Sequence, residues 1–138
     1  QFPDAMRNYS LSLELDSKNL AALSGAGETL LKLNRVAEGE VMFRRVLKED
    51  STDTRSHYHL GRISHRRGEI STAEAHLRKA TAREEPNFAD AHKTLGLLHK
   101  ERKEAIPARA HLRAYLKLSN QIGAEEREEI TRIMNRLR

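Results

Sequence analysis

Residues 57–80 read HYHLGRISHRRGEISTAEAHLRKA, and this stretch decides the fold. It contains Gly61, a polar break at residues 67–69, and Ala73 twelve positions after the glycine. Apolar residues recur on both sides of the break at spacings of three and four, which is typical of a buried face on each of two successive helices. Small residues on those faces let the two backbones approach closely. The stretch therefore predicts a helical hairpin.

The same arrangement occurs at two other places in the chain. Gly27 lies 34 residues before Gly61, and Gly96 lies 35 residues after it. Each is again followed twelve positions on by a small residue, Gly39 or Ala108. Self-similarity at this period indicates stacked repeats rather than a domain with one core.

Three complete repeats are predicted from the aligned glycines, at residues 20–53, 54–88 and 89–122. Each reads as helix, short turn and helix, and one extra residue lies near Pro86, in the second repeat. Asp53 and Asn87 stand where the first helices of the second and third repeats should begin, and both residue types are favoured N-caps.

The two ends of the chain differ from the repeats. Residues 1–19 match the second helix of a preceding partial repeat, with Tyr9 and Leu13 on its apolar face. We expect this uncovered edge to support weak self-association. Residues 123–138 begin with glutamates and end with arginines, a polarity that suits the helix dipole. They are predicted to form a C-terminal capping helix.

Composition narrows the class of protein. Of the 138 residues, 38% are hydrophobic and 33% are charged, which suits a repeat array with a high ratio of surface to volume. Cysteine is absent, which removes disulfides and thiolate metal sites but leaves the compartment open. The chain opens directly into a helical pattern without a signal peptide, and we expect it to be a piece of a longer protein. The net charge of +5 favours acidic partners.

The repeat positions resemble the tetratricopeptide repeat (TPR) family, a helix–turn–helix of 34 residues. Leu60-Gly61 and Leu95-Gly96 fit the family pattern, as do Ala73 and Phe43. The resemblance covers residues 20–122 well and implies an all-α fold, a right-handed α-solenoid of TPR helix–turn–helix repeats. Several slots that are usually aromatic hold histidine instead, namely His57, His92 and His99. We interpret these as packed, hydrogen-bonded rings.

The resemblance also implies that the first helix of each repeat lines a concave groove. In the first repeat these positions are Ala21, Ser24, Gly25, Glu28, Leu31 and Lys32. In the second and third repeats the predicted partner-binding residues are Arg55, Tyr58, His59, Arg62, His65 and Arg66, followed by Lys93, Leu97 and Lys100. Guanidinium groups bind carboxylates through paired hydrogen bonds. The residues therefore predict a basic groove for an acidic segment.

Catalytic and metal-binding patterns are missing from the sequence. There is no nucleophile elbow, no Gly-rich phosphate loop and no carboxylate pair. The seven histidines lack the spacing of a metal site, and no cysteine accompanies them. The sequence therefore predicts a protein that is not an enzyme and needs no cofactor or metal.

We interpret the chain as a protein–protein interaction scaffold that binds an extended or helical, acidic segment of a partner. One alternative is a regulatory or substrate-recruiting TPR arm of a larger enzyme. The other is an RNA-binding helical repeat, which the positive charge permits but the scarcity of stacking aromatics disfavours. Neither a small-molecule substrate nor a membrane span is expected. Partner, compartment and oligomeric state are left open by the residues.

Overall fold

The computed structural model of the chain describes residues 4–8 and 19–138. The regular elements among these residues are helical, and no strand occurs among them. Residues 4–8 are helical, and after them come α1 (Leu20–Lys32), α2 (Val36–Glu49), α3 (Thr54–Arg66), α4 (Ile70–Ala80), a short 3₁₀ helix (Pro86–Phe88), α5 (Ala89–Glu101), α6 (Ala105–Leu118) and α7 (Ala124–Arg136). The predicted all-α fold class is confirmed. The predicted positions of Tyr9 and Leu13 lie outside the described residues.

The chain divides into two compact units, Gln1–Lys79 and Ala80–Arg138. The N-terminal unit contains α1, α2, α3 and nearly all of α4, and the C-terminal unit contains α5, α6 and α7. The division into three repeats with two flanking helices stays a prediction. No helix in the described parts of the chain has the length and apolar character that a membrane crossing requires.

Two glycines bring the helices of the N-terminal unit close together. A Cβ built on Gly27 would lie 2.8 Å from the ring of Phe43, and one on Gly61 would lie 2.7 Å from Cδ2 of Leu77. Phe43 and Leu77 are both fully buried. At contacts this short, a side chain at either glycine would force the buried ring of Phe43 or the side chain of Leu77 to move. Helix α1 therefore packs tightly on α2, and α3 on α4, as the small residues predict.

The C-terminal unit repeats this contact and adds a third helix. A Cβ on Gly96 would lie 2.7 Å from Cγ of Leu112, so α5 packs on α6. Helix α7 contributes Ile130, which is 2% exposed and joins Leu112, Tyr115 and Leu118 in one apolar cluster. Burying an isoleucine of this kind stabilises a fold by about 1.5–3 kcal/mol. The last helix is therefore part of the core of this unit.

The helix starts follow the predicted capping in one case and depart from it in another. The carboxylate of Asp53 accepts a hydrogen bond from the backbone N–H of Ser56 at 2.9 Å, so Asp53 is the N-cap of α3. The expectation for Asn87 is wrong: it lies inside the 3₁₀ helix, and Phe88 is the N-cap of α5. Pro86 occupies the first turn of that 3₁₀ helix, where a missing N–H is tolerated.

Candidate functional site

A pocket of about 600 Å³ opens in the N-terminal unit beside α1 and α3. We call it the N-terminal pocket. Its lining comes from α1, from the turn after it, from the start of α2, and from α3 with the residue that follows it. The lining residues are Glu28, Leu31, Lys32, Asn34, Val36, His59, Arg62, Ile63, Arg66 and Arg67. Binding sites usually combine an apolar wall with a small number of convergent polar or charged groups.

Helical periodicity gathers most of the basic side chains of α3 on one side of the helix. Residues 55, 59, 62 and 66 are separated by four, three and four positions, so they lie along one stripe of the helix. The opposite side carries Leu60, Gly61 and Ser64, which are buried. The close contact of Gly61 with Leu77 holds that side against α4. Packing of the buried side therefore turns the stripe outward.

The arginines of the N-terminal pocket differ in how they are engaged. Arg67 forms an ion pair with Glu40 at 2.6 Å, and Arg44 binds the same carboxylate. Although burial opposes it, hydrogen bonds from the two guanidinium groups hold the pKa of Glu40 below its usual value. Among the described residues, Arg62 and Arg66 form no ion pair, and both are exposed. Their charge is thus available to a ligand.

Arg62 is positioned by an aromatic ring. Its guanidinium carbon lies 5.3 Å from the ring centroid of Tyr58, within the range of a cation–π contact. Tyr58 itself is buried, at 7% exposure. Tyr58 therefore acts as a support beneath Arg62 and is not part of the pocket lining.

The other end of the N-terminal pocket carries a carboxylate. Oε1 of Glu28 lies 3.4 Å from a guanidinium nitrogen of Arg55 and 3.4 Å from Nε2 of His59. The His59 ring stacks on Phe43 with centroids 4.6 Å apart, and its Nδ1 is buried without a hydrogen-bond partner among the described residues. Burial lowers the pKa of His59, opposed by Glu28 and assisted by Arg62 and Arg55. Burial therefore favours the uncharged form of the ring.

The predicted site residues fall in both units, and the structure gives them different surroundings. His59, Arg62 and Arg66 line the N-terminal pocket. Arg55 and His65 are exposed and do not contribute to its lining. Lys93, Leu97 and Lys100 lie on α5 in the C-terminal unit.

Two of the three predicted residues on α5 are engaged by the C-terminal unit itself. Nζ of Lys93 lies 2.5 Å from Oε1 of Glu126 on α7 and 5.6 Å from the ring centroid of Tyr115. Leu97 is partly buried against the cluster that contains Ile130. Lys100 is exposed, and no ion pair engages it in the described part of the chain. The C-terminal helix therefore uses the surface of α5 on which a partner was expected.

Several lining residues of the N-terminal pocket are absent from the predicted partner-binding set. Leu31 and Lys32 stand at groove positions of the family pattern, so a signal for them existed. Val36 and Ile63 carried only the pattern of a buried face, and Ile63 is indeed 5% exposed. That both also border a pocket depends on the packing of α1, α2 and α3, which spacing alone does not reveal.

The histidines form two equivalent pairs, one in each unit. Nδ1 of His57 lies 2.9 Å from Nδ1 of His76, and Nδ1 of His92 lies 3.0 Å from Nδ1 of His111. His57, His92 and His99 are all buried, and each makes a hydrogen-bond contact, as predicted for rings in aromatic slots. No group of three or more His, Asp or Glu side chains within residues 4–8 and 19–138 is arranged to hold a metal ion.

The two pairs differ at the outer nitrogen of the first histidine. Nε2 of His57 lies 2.8 Å from the carbonyl oxygen of Ser51, so Nε2 carries the proton and Nδ1 accepts from His76. Nε2 of His92 is buried and has no partner among the described residues. The residue six positions before His92 is Pro86, which opens the 3₁₀ helix. The extra residue of the second repeat, near Pro86, thus coincides with the absence of a contact like that between His57 and Ser51.

Comparison with known proteins gives a structural likeness but no sequence relative. No protein-family model and no curated protein matches the chain. Among solved structures, the crystal structure of MamA, a TPR-like protein, matches with a TM-score of 0.72 and 21% sequence identity. The match covers 97% of this chain and 85% of that one. The fold of this chain is therefore a TPR-like helical repeat.

Proposed function

We propose that this chain is a non-enzymatic protein–protein interaction scaffold that binds an acidic segment of a partner protein in the N-terminal pocket. The observation that carries the proposal is the pair Arg62 and Arg66, which face the pocket without an internal counter-ion among the described residues. Surface arginines that find no internal carboxylate are suited to a carboxylate supplied from outside.

The apolar part of the lining favours a peptide over a free small anion. Leu31, Val36 and Ile63 border the same cavity as the two arginines. An apolar side chain of a partner can occupy this wall while a neighbouring carboxylate reaches the guanidinium groups. A volume of about 600 Å³ suits a few side chains of an extended or helical segment.

Two features of the chain support a protein partner over RNA. Aromatic residues make up 4% of the chain, Tyr58 beside the pocket is buried, and the His59 ring in the lining already stacks on Phe43, so the described lining offers little surface on which bases could stack. The apolar wall of Leu31, Val36 and Ile63 also suits an apolar side chain of a protein better than a sugar–phosphate backbone. Weak self-association through the N-terminal edge remains a separate prediction for residues that the structure does not describe.

Charge reversal at Arg62 and Arg66 tests the proposal. The probe is a capped peptide, Glu-Glu-Leu-Leu-Gln-Gln, titrated into isotopically labelled protein and followed by NMR. Arg62→Glu with Arg66→Glu should abolish binding, because two attractive contacts become repulsive. The melting temperature should stay close to that of the parent, since exposed charges contribute little to stability.

A matched control has the same change in net charge at another place in the N-terminal unit. Lys48 and Lys79 are exposed and lie outside the pocket lining. Lys48→Glu with Lys79→Glu should weaken binding only slightly, through long-range electrostatics that salt screens. Equal loss of binding in both double variants would show that net charge, and not the pocket, recruits the peptide.

A further inference from the structure

The N-terminal pocket is not uniformly basic along its length. Arg62 and Arg66 lie toward the carboxyl end of α3, whereas Glu28 lies beside Arg55 and His59 nearer its amino end. From residue 59 to residue 66 a helix advances by about 10 Å, which is the span of several residues of a bound peptide. A bound segment would therefore meet, at one end of the pocket, two cations without an ion pair in the described part of the chain and, at the other, a carboxylate that is paired only loosely with Arg55.

We infer that Glu28 makes the pocket selective for a segment with acidic residues at one end only, apolar residues in the middle, and a neutral or basic residue at the Glu28 end. This inference rests on the proposed function and narrows the class of partner. A scaffold that simply attracted negative charge would instead prefer the most acidic segment available.

The geometry around Glu28 leaves its charge only partly neutralised. Both of its contacts are 3.4 Å long, whereas the strongest charge-assisted hydrogen bonds between nitrogen and oxygen measure about 2.7–2.9 Å. The side chain of Glu28 is 34% exposed, and that of Arg55 is 53% exposed, so their attraction is screened by water. Burial lowers the pKa of the neighbouring His59 and so favours the uncharged form of its ring. An incoming carboxylate at this end would therefore meet a negative group.

The shape of this end also opposes displacement of Glu28 by a competing carboxylate. The ring of His59 is held by stacking on Phe43, which is fully buried. A partner carboxylate that replaced Glu28 at Arg55 would place two anions beside one partly exposed guanidinium group. Juxtaposed like charges at an interface select against a partner, which is how binding sites reject close competitors.

Two peptides that differ at one end test the selectivity. The one-ended peptide is Glu-Glu-Leu-Leu-Gln-Gln, and the two-ended peptide is Glu-Glu-Leu-Leu-Glu-Glu, both capped at their termini. In the parent protein the two-ended peptide should bind about threefold more weakly despite its greater charge. In Glu28→Gln this order should reverse, with the two-ended peptide binding about threefold more tightly. Dissociation constants come from NMR titration at neutral pH.

A control carboxylate separates a local effect from one of net charge. Glu49 is exposed on α2 and lies outside the pocket lining, so Glu49→Gln should keep the order of the parent protein. Tighter binding of the two-ended peptide to the parent, or an equal change for both peptides in Glu28→Gln, would overturn the inference alone. Absence of binding by both peptides would overturn the proposed function as well.

Discussion

Helices α3 and α5 are counterparts in sequence, yet one carries an open pocket and the other is used by its own unit. With Gly61 aligned on Gly96, Arg62 corresponds to Leu97 and Tyr58 corresponds to Lys93. Arg62 faces a cavity, whereas Leu97 packs against the cluster around Ile130 and Lys93 pairs with Glu126. The repeat pattern therefore decides which face of a helix turns outward. The element that follows decides whether that face stays open.

Of all the changes, removal of α7 should have the largest effect on stability. It should also remove the difference between α3 and α5, because the face of α5 would then be uncovered. A chain ending at Ile122 loses Ile130 from the core cluster and uncovers Leu97, Tyr115 and Leu118. With about 1.5–3 kcal/mol for each buried apolar side chain, the local stability of residues 89–122 should fall by several kcal/mol. Amide hydrogen exchange should accelerate there and change little in residues 20–53. A uniform loss of protection would indicate one cooperative core instead.

Adding a methyl group at Gly61 or Gly96 should destabilise the two units by similar amounts, because the buried sides of α3 and α5 are alike. Gly61→Ala and Gly96→Ala each place a Cβ about 2.7 Å from a fully buried leucine. Overpacking of this kind costs about 1–3 kcal/mol, of which the higher helix propensity of alanine offsets about 0.5–1 kcal/mol, so a net loss of stability is expected. Gly123→Ser is the control, since nothing beyond the chain neighbours lies within 4 Å of a Cβ there and serine is at least as favourable as glycine at this N-cap of α7. Denaturant unfolding that finds all three variants equally stable would contradict this packing.

Acidification should destabilise the two units by different amounts, because their histidine pairs differ. Burial lowers the pKa of His76 and of His92 from the ordinary value of 6.5, the latter opposed by Glu84. The unfolded chain then takes up protons more readily, so stability is complete above pH 6.5 and falls as the pH drops below it. Both units should therefore lose stability in acid.

The C-terminal unit should lose more stability than the N-terminal unit. When a histidine pair takes up one proton, Nε2 of each of the two rings carries a proton. His57 can donate to the carbonyl of Ser51, but His92 has no acceptor among the described residues, and a buried N–H without a partner costs about 1–3 kcal/mol. Hydrogen exchange at about pH 5.5 and 7.5 measures this, with His92→Phe as the variant that should remove the excess. An equal loss of stability in both units would contradict the role given to the missing acceptor at His92.

The smallest predicted effect concerns the polar contact that joins α5, α6 and α7. Glu126 pairs with Lys93 and accepts a hydrogen bond from the hydroxyl of Tyr115 at 2.9 Å. Glu126→Ala should lower the free energy of unfolding by about 1 kcal/mol. Glu125→Ala, in the same helical turn but exposed, should change it less.

The titration of Tyr115 reports the same contact without reference to stability. Burial and the hydrogen bond to Glu126 raise the pKa of Tyr115 to about 12. In Glu126→Ala this pKa should move toward its ordinary value of 10, measured by ultraviolet absorbance. An unchanged pKa would show that Glu126 does not bind the hydroxyl in solution.

The sequence was sufficient to predict which side of the helices is buried. The spacing of Gly61 and Ala73 predicts the α3–α4 hairpin, because a period of 3.6 residues maps directly onto one face. The break at residues 67–69 likewise marks the turn between them. The N-cap of α5 was not predictable in the same way, since the extra residue near Pro86 forms a 3₁₀ turn that displaces Asn87.

The candidate site was predictable only in part. The stripe that contains His59, Arg62 and Arg66 follows from periodicity, and these residues do share a cavity. Burial of Tyr58 and engagement of Lys93 depend on neighbours that are distant in sequence. Lys93 and Glu126 are 33 positions apart, and no local pattern links them. Contacts of that kind are set by the three-dimensional packing of helices.

Mapping the bound peptide on the protein tests the central claim most directly, namely that the open pocket on α3 binds a partner and the covered face of α5 does not. Labelled protein is titrated with Glu-Glu-Leu-Leu-Gln-Gln, and the amide and arginine side-chain resonances are followed by NMR. We expect shifts centred on Leu31, Arg62 and Arg66, with the resonances of α5 and α7 nearly unchanged. Shifts centred on Lys93 and Lys100, or spread evenly over the basic surface, would contradict binding in the pocket.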